Sequence, residues 1–257
     1  MMLAPLEQFK LIALLPLSFL NIDFSLTNAL IISSVILISF IFLLFFLKKY
    51  QINSDFFYFY YIPTISQSFI ELLNKISIQL VYSNLNKSGE KYYPYVCTLF
   101  FFILFCNLIG LIPYSFTLTS HIIITFFLSF SVFIGVNIIG FEKHTYALFS
   151  LIIPANSSLI LALVLVPIEF VSYLAKPISL GVRLFINLMA GHTLLKVILG
   201  FSWSLVLADS FFYFFLHLIP LCLLIVLMGL ELGVALIQAY VFTILTCIYL
   251  NDSINLH

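Results

Sequence analysis

Ser172-Tyr-Leu-Ala-Lys-Pro-Ile-Ser-Leu-Gly-Val-Arg-Leu-Phe-Ile-Asn-Leu-Met-Ala-Gly-His192 carries the sequence's only arginine, Arg183, in the middle of an apolar run. Arginine keeps its charge at any accessible pH. At bilayer depth that charge costs about 2.5–3.5 kcal/mol on insertion scales. The stretch therefore predicts a buried helix in lipid whose guanidinium is met by an anion. The surrounding run, Ser157–Leu199, exceeds one perpendicular crossing, since a crossing needs about 20 residues.

The whole chain agrees with that reading. It is 63% hydrophobic and 8% charged, with a mean hydropathy of +1.22, where soluble domains carry about 25% charged residues. A net charge of zero without a basic cluster argues against a nucleic-acid partner. Cys97, Cys106, Cys222 and Cys247 lie in apolar runs with no CxxC or Cys/His spacing, which reads as packing, with no metal or cofactor implied. No Gly-rich phosphate loop is present, so the chain alone is expected to bind no nucleotide. Leu11–Leu20 is short, broken by Pro16 and preceded by Glu7 and Lys10, which predicts no cleavable leader.

Nearer the N-terminus, Thr27–Leu47 is an uncharged run ending at Lys48-Lys49 and fits a first crossing over 27–47. The next segment mixes polar and apolar residues. Phe69, Leu72, Leu73, Ile76 and Leu80 at helical spacing predict an amphipathic surface helix over 64–85. Tyr92–Ile112 and Ile122–Ile139 predict a hairpin of crossings over 92–139, turning at Pro113–Ser120. Five of the ten basic residues, Lys48, Lys49, Lys75, Lys87 and Lys91, fall between the first and second crossings. The positive-inside rule puts that segment and the C-terminus inside.

The final part, 157–250, predicts a pair of long tilted helices. Phe211–Leu250 is about 40 residues, hence roughly 60 Å if helical. Such a length must break near Pro220 or tilt beyond the usual roughly 0–40°. The expected fold class is an all-α integral membrane protein in one membrane domain over 1–257. It has about five membrane helices plus one amphipathic surface helix, the last two long, tilted and hairpin-like.

Glu169, Ser172, Lys176, Ser179, Arg183 and Asn187 share one helix face, and lipid cannot satisfy such a stripe. On the last helix Glu231, Gln238 and Asp252 fall within about 80° of one another. Gly229 and Gly233 flank Glu231 from the opposite side, suited to close helix packing behind it. Gln238 can hydrogen-bond a facing guanidinium. His192 stands about 180° around the helix from Arg183 and about 13 Å along it, in a separate compartment.

Glu and His load and unload protons, whereas Arg183 cannot. A fixed cation between two proton-accessible zones is a barrier, and it favours the ionised form of a carboxylate brought past it. That pattern describes two offset aqueous half-channels serving a moving partner carboxylate. Three readings compete with it. Arg183 can close a structural ion pair with Glu231 in the same chain. A self-contained ion-coupled secondary transporter would favour repeats and midplane broken helices, which are not evident. A haem-bearing respiratory subunit would want paired axial histidines, also not evident.

Ile178-Ser-Leu-Gly-Val-Arg-Leu-Phe-Ile-Asn-Leu-Met-Ala-Gly-His192 and Leu236-Ile-Gln-Ala-Tyr-Val-Phe-Thr243 resemble the subunit a family of F-type ATP synthases, the ATP6 proteins of mitochondria. Pro5-Leu-Glu-Gln-Phe9, Asn107-Leu-Ile-Gly-Leu-Ile-Pro113 and Tyr249-Leu-Asn-Asp252 extend the likeness over nearly the whole chain. The resemblance implies that Arg183 faces the c-ring carboxylates, with Asn187 and Gln238 as polar neighbours. It implies that Glu231 and His192 line a half-channel open to the intermembrane space, and that Glu169 and Asp252 line the matrix exit. His192 resembles mitochondrial members, where many bacterial ones carry an acid. Further implications are the proton as the transported ion, no cofactor, and no enzyme activity apart from the assembly. The partners implied are the c-ring, peripheral-stalk and other Fo subunits, and lipid. The expected location is the mitochondrial inner membrane, multi-pass, with the N-terminus in the intermembrane space and the C-terminus on the matrix side.

Overall fold

The structure is a computed structural model that describes residues 9–16, 18–19, 22–23, 25–52, 65–112, 115–145, 159–207, 215–255. Helices within it are α1 (Asn28–Ile52), α2 (Ile65–Leu85), α3 (Tyr93–Gly110), α4 (Ile122–His144), α5 (Leu159–Val206) and α6 (Leu218–Ile254). Among the described residues, four stretches are long and apolar enough to cross a membrane: Gly89–Gly110, Ile122–His144, Val164–Val206 and Leu218–Ile254. In α1, Asn28–Ser39 is likewise apolar. The all-α membrane architecture with two long C-terminal helices is borne out. The start of the surface segment, Asp55–Thr64, lies outside the described residues, as do Pro5–Gln8, Pro113, Ser157 and Phe211.

The chain contacts divide into two compact units. One comprises Met1–Ile52, Phe102–His121 and Phe185–Ala239; the other comprises Asn53–Phe101, Ile122–Leu184 and Tyr240–His257.

In the first unit, short strands that the apolar pattern of Leu11–Leu20 did not announce precede α1. Strand β1 (Ala13–Leu15) pairs antiparallel with β4 (Leu26–Thr27), and β2 (Ser18–Phe19) with β3 (Ile22–Asp23). Pairing satisfies backbone groups that an apolar loop would leave bare. Asn28, the first residue of α1, ties the ladder to the helix. Its Oδ1 accepts from Ile12 N at 3.3 Å, and its Nδ2 donates to Lys10 O at 3.2 Å. Buried Asn107 of α3 donates from Nδ2 to the Ala235 carbonyl of α6 at 3.2 Å, a bond from an interior amide to a backbone acceptor.

In the second unit, α2 turns its two faces differently from the single stripe read in sequence. Leu73 and Leu80 are buried, with Ser77, Val81 and Leu85, whereas Phe69 and Leu72 are exposed. The buried set repeats every three to four residues toward its own unit, so the apolar set splits between two surfaces. α4 and α5 approach closely where Gly181 leaves no room for a side chain: a Cβ there would lie 2.7 Å from Ser129 Oγ and 3.2 Å from the Thr125 carbonyl. Ser129 and Thr125 satisfy their own hydroxyls on Phe126 O and Ile122 O, the local solution available to a hydroxyl in lipid.

The expected break near Pro220 occurs earlier. Residue 217 forms a turn and α6 then runs unbroken from Leu218 to Ile254. Pro220 sits in the first turn, where its missing N–H leaves no hydrogen bond unmade. Pro167 and Pro177 lie inside α5, which stays helical through both.

Candidate functional site

In the second unit, the face of α5 that packs inward is made by Pro177, Leu180, Gly181 and Leu184, all buried. The polar residues take the other side. Ser172, Ser179 and Arg183 are exposed, and Glu169 and Lys176 are half-buried. Arg183 makes no hydrogen bond or ion pair among the described residues. Glu169 keeps one carboxyl oxygen, Oε2, buried without a hydrogen bond among the described residues.

Lys176, a member of the polar stripe, has a definite partner. Its Nζ lies 3.3 Å from Asp252 Oδ2 of α6. The same ammonium stands 5.6 Å from the ring centroid of Tyr173 and 5.1 Å from that of Tyr249, within the range of cation–π attraction. The Tyr173 hydroxyl donates to Asn137 Oδ1 of α4. A chain of polar contacts thus joins α4, α5 and α6 in this unit.

The first unit holds the other polar group. Asn187 Nδ2 donates to Gln238 Oε1 at 2.9 Å, so Gln238 accepts from a neighbouring amide on α5. His192 Nδ1 lies 3.5 Å from Glu231 Oε1, and both side chains are buried. Glu231 Oε1 and His192 Nε2 have no hydrogen bond among the described residues. The Phe9 ring meets the imidazole edge-on at 6.5 Å. Glu231 therefore meets His192 within the first unit. His192 and Glu231, assigned one role by resemblance, do come together.

The carboxyl of Glu231 fits only because Gly191 precedes His192. A Cβ at position 191 would lie 2.8 Å from Glu231 Oε1 and 3.1 Å from Cδ. Beside this contact is a 190 Å³ cavity lined by Asn187, Gly191, Leu194, Leu227, Glu231 and Val234, with Ala190, Leu195 and Leu230. Two polar side chains in an apolar-walled cavity suit a hydrated path or a proton-bearing group. Gly229 and Gly233, expected to back Glu231 with close helix packing, have nothing within 4 Å of an added Cβ among the described residues. The close approach was made by Gly191 instead. Its signal in sequence was its place beside His192 in Ala190-Gly-His192. Among the described residues no three of His, Cys, Asp and Glu converge as metal ligands would.

Two comparisons bear on this arrangement. Residues 29–251 match the family described as ATP synthase A chain. Three relatives called ATP synthase subunit a are similar over almost their whole length. That of Chondrus crispus is 46% identical, covering 99% of this chain and 97% of its own. That of Pylaiella littoralis is 47% identical with 99% of each chain covered, and that of Brassica napus is 45% identical with 99% and 97% covered.

Proposed function

The chain belongs to the ATP synthase A chain family, and from that premise we propose that it is the proton-conducting stator subunit of a mitochondrial Fo motor. The observation that carries the reading is the placement of Arg183: on the exposed face of α5, with no hydrogen bond or ion pair among the described residues. A guanidinium left open in an apolar helix needs an anion from outside its own chain. A carboxylate on a neighbouring c-ring supplies one.

Protons from the intermembrane space reach Glu231, which lines the cavity with Asn187, and His192 beside it. From there a proton passes to a ring carboxyl and neutralises it, so that the carboxyl can travel through lipid. Arg183 cannot carry the proton onward and repels it, which blocks direct leakage. As the ring turns, Arg183 favours the ionised form of the arriving carboxylate. The released proton leaves through Glu169 and Asp252 to the matrix side. The Asn187–Gln238 hydrogen bond steadies two amides of the path. The membrane potential contributes about 2.3 kcal/mol per charge per 100 mV. Other Fo and peripheral-stalk subunits hold the chain still while the ring moves, in the mitochondrial inner membrane, with its C-terminus toward the matrix.

The decisive experiment replaces Arg183 by Ala and by Lys in the assembled complex. Arg183→Ala is expected to abolish ATP synthesis with assembly retained and to allow passive proton leak. Synthesis at the unmodified rate in that variant would defeat the reading. Uptake of a solute by the purified chain alone would favour the secondary transporter in its place.

A further inference from the structure

We propose that Lys176 is a positioning residue for Asp252, and that with the rings of Tyr173 and Tyr249 it forms a clasp that balances the carboxylate's charge as each proton passes. The inference rests on the reading of Asp252 as part of the exit path and deepens it by naming what holds that carboxylate.

Three observations within one unit carry it. The ammonium has two seats within reach of one short movement: Asp252 Oδ2 at 3.3 Å, and the faces of Tyr173 and Tyr249 at 5.6 and 5.1 Å. The pair is not sealed, since the Lys176 and Asp252 side chains are 34% and 45% exposed. A closed structural salt bridge would bar a proton from the carboxyl; this one does not. The aromatic seat is also anchored, because the Tyr173 hydroxyl donates to Asn137 on α4 and Tyr249 rides on the same helix as Asp252.

The chemistry follows from charge. While Asp252 is a carboxylate, Lys176 neutralises it across the ion pair. A proton arriving from the ring carboxyl forms an O–H bond at Asp252, and Lys176 then has no counter-anion. The two ring faces take the ammonium over and spare it a bare position in low dielectric. When the O–H bond breaks and the proton passes to water, the ion pair re-forms. Lys176 keeps its own protons throughout and acts only through Asp252.

The test measures passive proton conduction per assembled complex, in membranes carrying the complete Fo sector. Lys176→Gln is expected to lower conduction about tenfold, the scale of losing a close opposite charge, while Lys176→Arg, which keeps the charge and the cation–π contact, stays within about twofold of the parent. Combined with Asp252→Asn, Lys176→Gln is expected to add no further loss. Parent-level conduction in Lys176→Gln while Asp252→Asn is blocked overturns the inference and leaves the exit path standing. Parent-level conduction in Asp252→Asn removes Asp252 from the path and the inference with it. Should Lys176→Gln not assemble, Tyr249→Leu and Tyr249→Phe decide. A loss of about two- to threefold confined to the leucine variant supports the clasp, and equal conduction in both overturns it.

Discussion

Nδ1 of His192 lies 3.5 Å from Oε1 of Glu231, and the two belong to different helices, α5 and α6. The spacing is just past hydrogen-bond length, so a slight approach or one bridging water joins them. Both side chains are buried, and Glu231 lines the 190 Å³ cavity with Asn187. In the proposed proton path the carboxyl and the imidazole act as one relay unit, in which Glu231 bears the larger share because it also faces the cavity. Glu231→Gln is expected to lower proton conduction by about 100-fold, the lower end of general acid–base effects. His192→Gln is expected to cost about tenfold. Both are measured as ATP-driven proton pumping per assembled complex. A His192→Gln loss larger than that of Glu231→Gln would reverse the order proposed for the pair.

Gly191 sets how near α5 can come to that carboxyl. A methyl group there would meet Glu231 Oε1 at 2.8 Å, and the flexible carboxyl end has to swing away. Gly191→Ala is therefore expected to assemble normally and to slow proton conduction severalfold, about three- to tenfold, by misplacing one group by an ångström or less. Gly191→Leu fills part of the cavity as well and should block conduction. Conduction unchanged in both variants would remove this wall from the proton path.

The features legible in sequence were those whose signal is strong in one segment. The lengths of α5 and α6 follow from uninterrupted apolar runs, and the Glu169–Asn187 stripe stands out because polar residues are rare in such a run. That these residues share one side of α5 follows from helical spacing alone. What escaped depends on the axial register of two helices, which no single segment encodes. Lys176 meets Asp252 across 76 positions, and Asn187 meets Gln238 across 51. The glycine pair around Glu231 drew attention as a known packing pattern, yet the close approach falls at Gly191 on the other helix. The N-terminal strands leave no signal in sequence because Leu11–Leu20 is a short apolar run without strand alternation, and pairing with Leu26–Thr27 is a non-local choice.

Gly181 bears on Arg183 from behind. The two residues are on opposite sides of α5, one against α4 and one exposed. Any side chain at 181 collides with Ser129 Oγ at 2.7 Å and with the Thr125 backbone at 3.2 Å. The backbone cannot yield as a side chain can, so α5 must shift outward, carrying Arg183 with it. Gly181→Val is expected to destabilise the second unit by about 1–3 kcal/mol and to lower coupled ATP synthesis more than assembly. Pairing it with Ser129→Ala relieves the nearer collision but not the backbone one, so partial rescue is expected. Full activity in Gly181→Val, measured by synthesis rate against complex abundance, would show that α5 has slack at this depth.

The turn between α3 and α4 has its own pH dependence. His121 stacks on Phe116 with ring centroids 4.9 Å apart, and its Nε2 is buried without a hydrogen bond among the described residues. Burial lowers the His121 pKa below its ordinary 6.5, so the closed turn holds the neutral ring. An opened turn frees the imidazole to titrate near 6.5 and to bind more protons than the closed form at lower pH. The stabilisation is therefore complete above pH 6.5 and is lost as pH falls through the lowered value. Hydrogen exchange at Ser120 and His121, whose amides bond Thr117 O and Leu118 O, reads this directly. Between pH 7.5 and 5.5, after correction for intrinsic rates, their protection in the assembled complex is expected to fall about two- to threefold. His121→Phe keeps the stack and removes the proton site, so its protection should be flat across that range. A parallel decline in both proteins would place the sensitivity elsewhere in the turn.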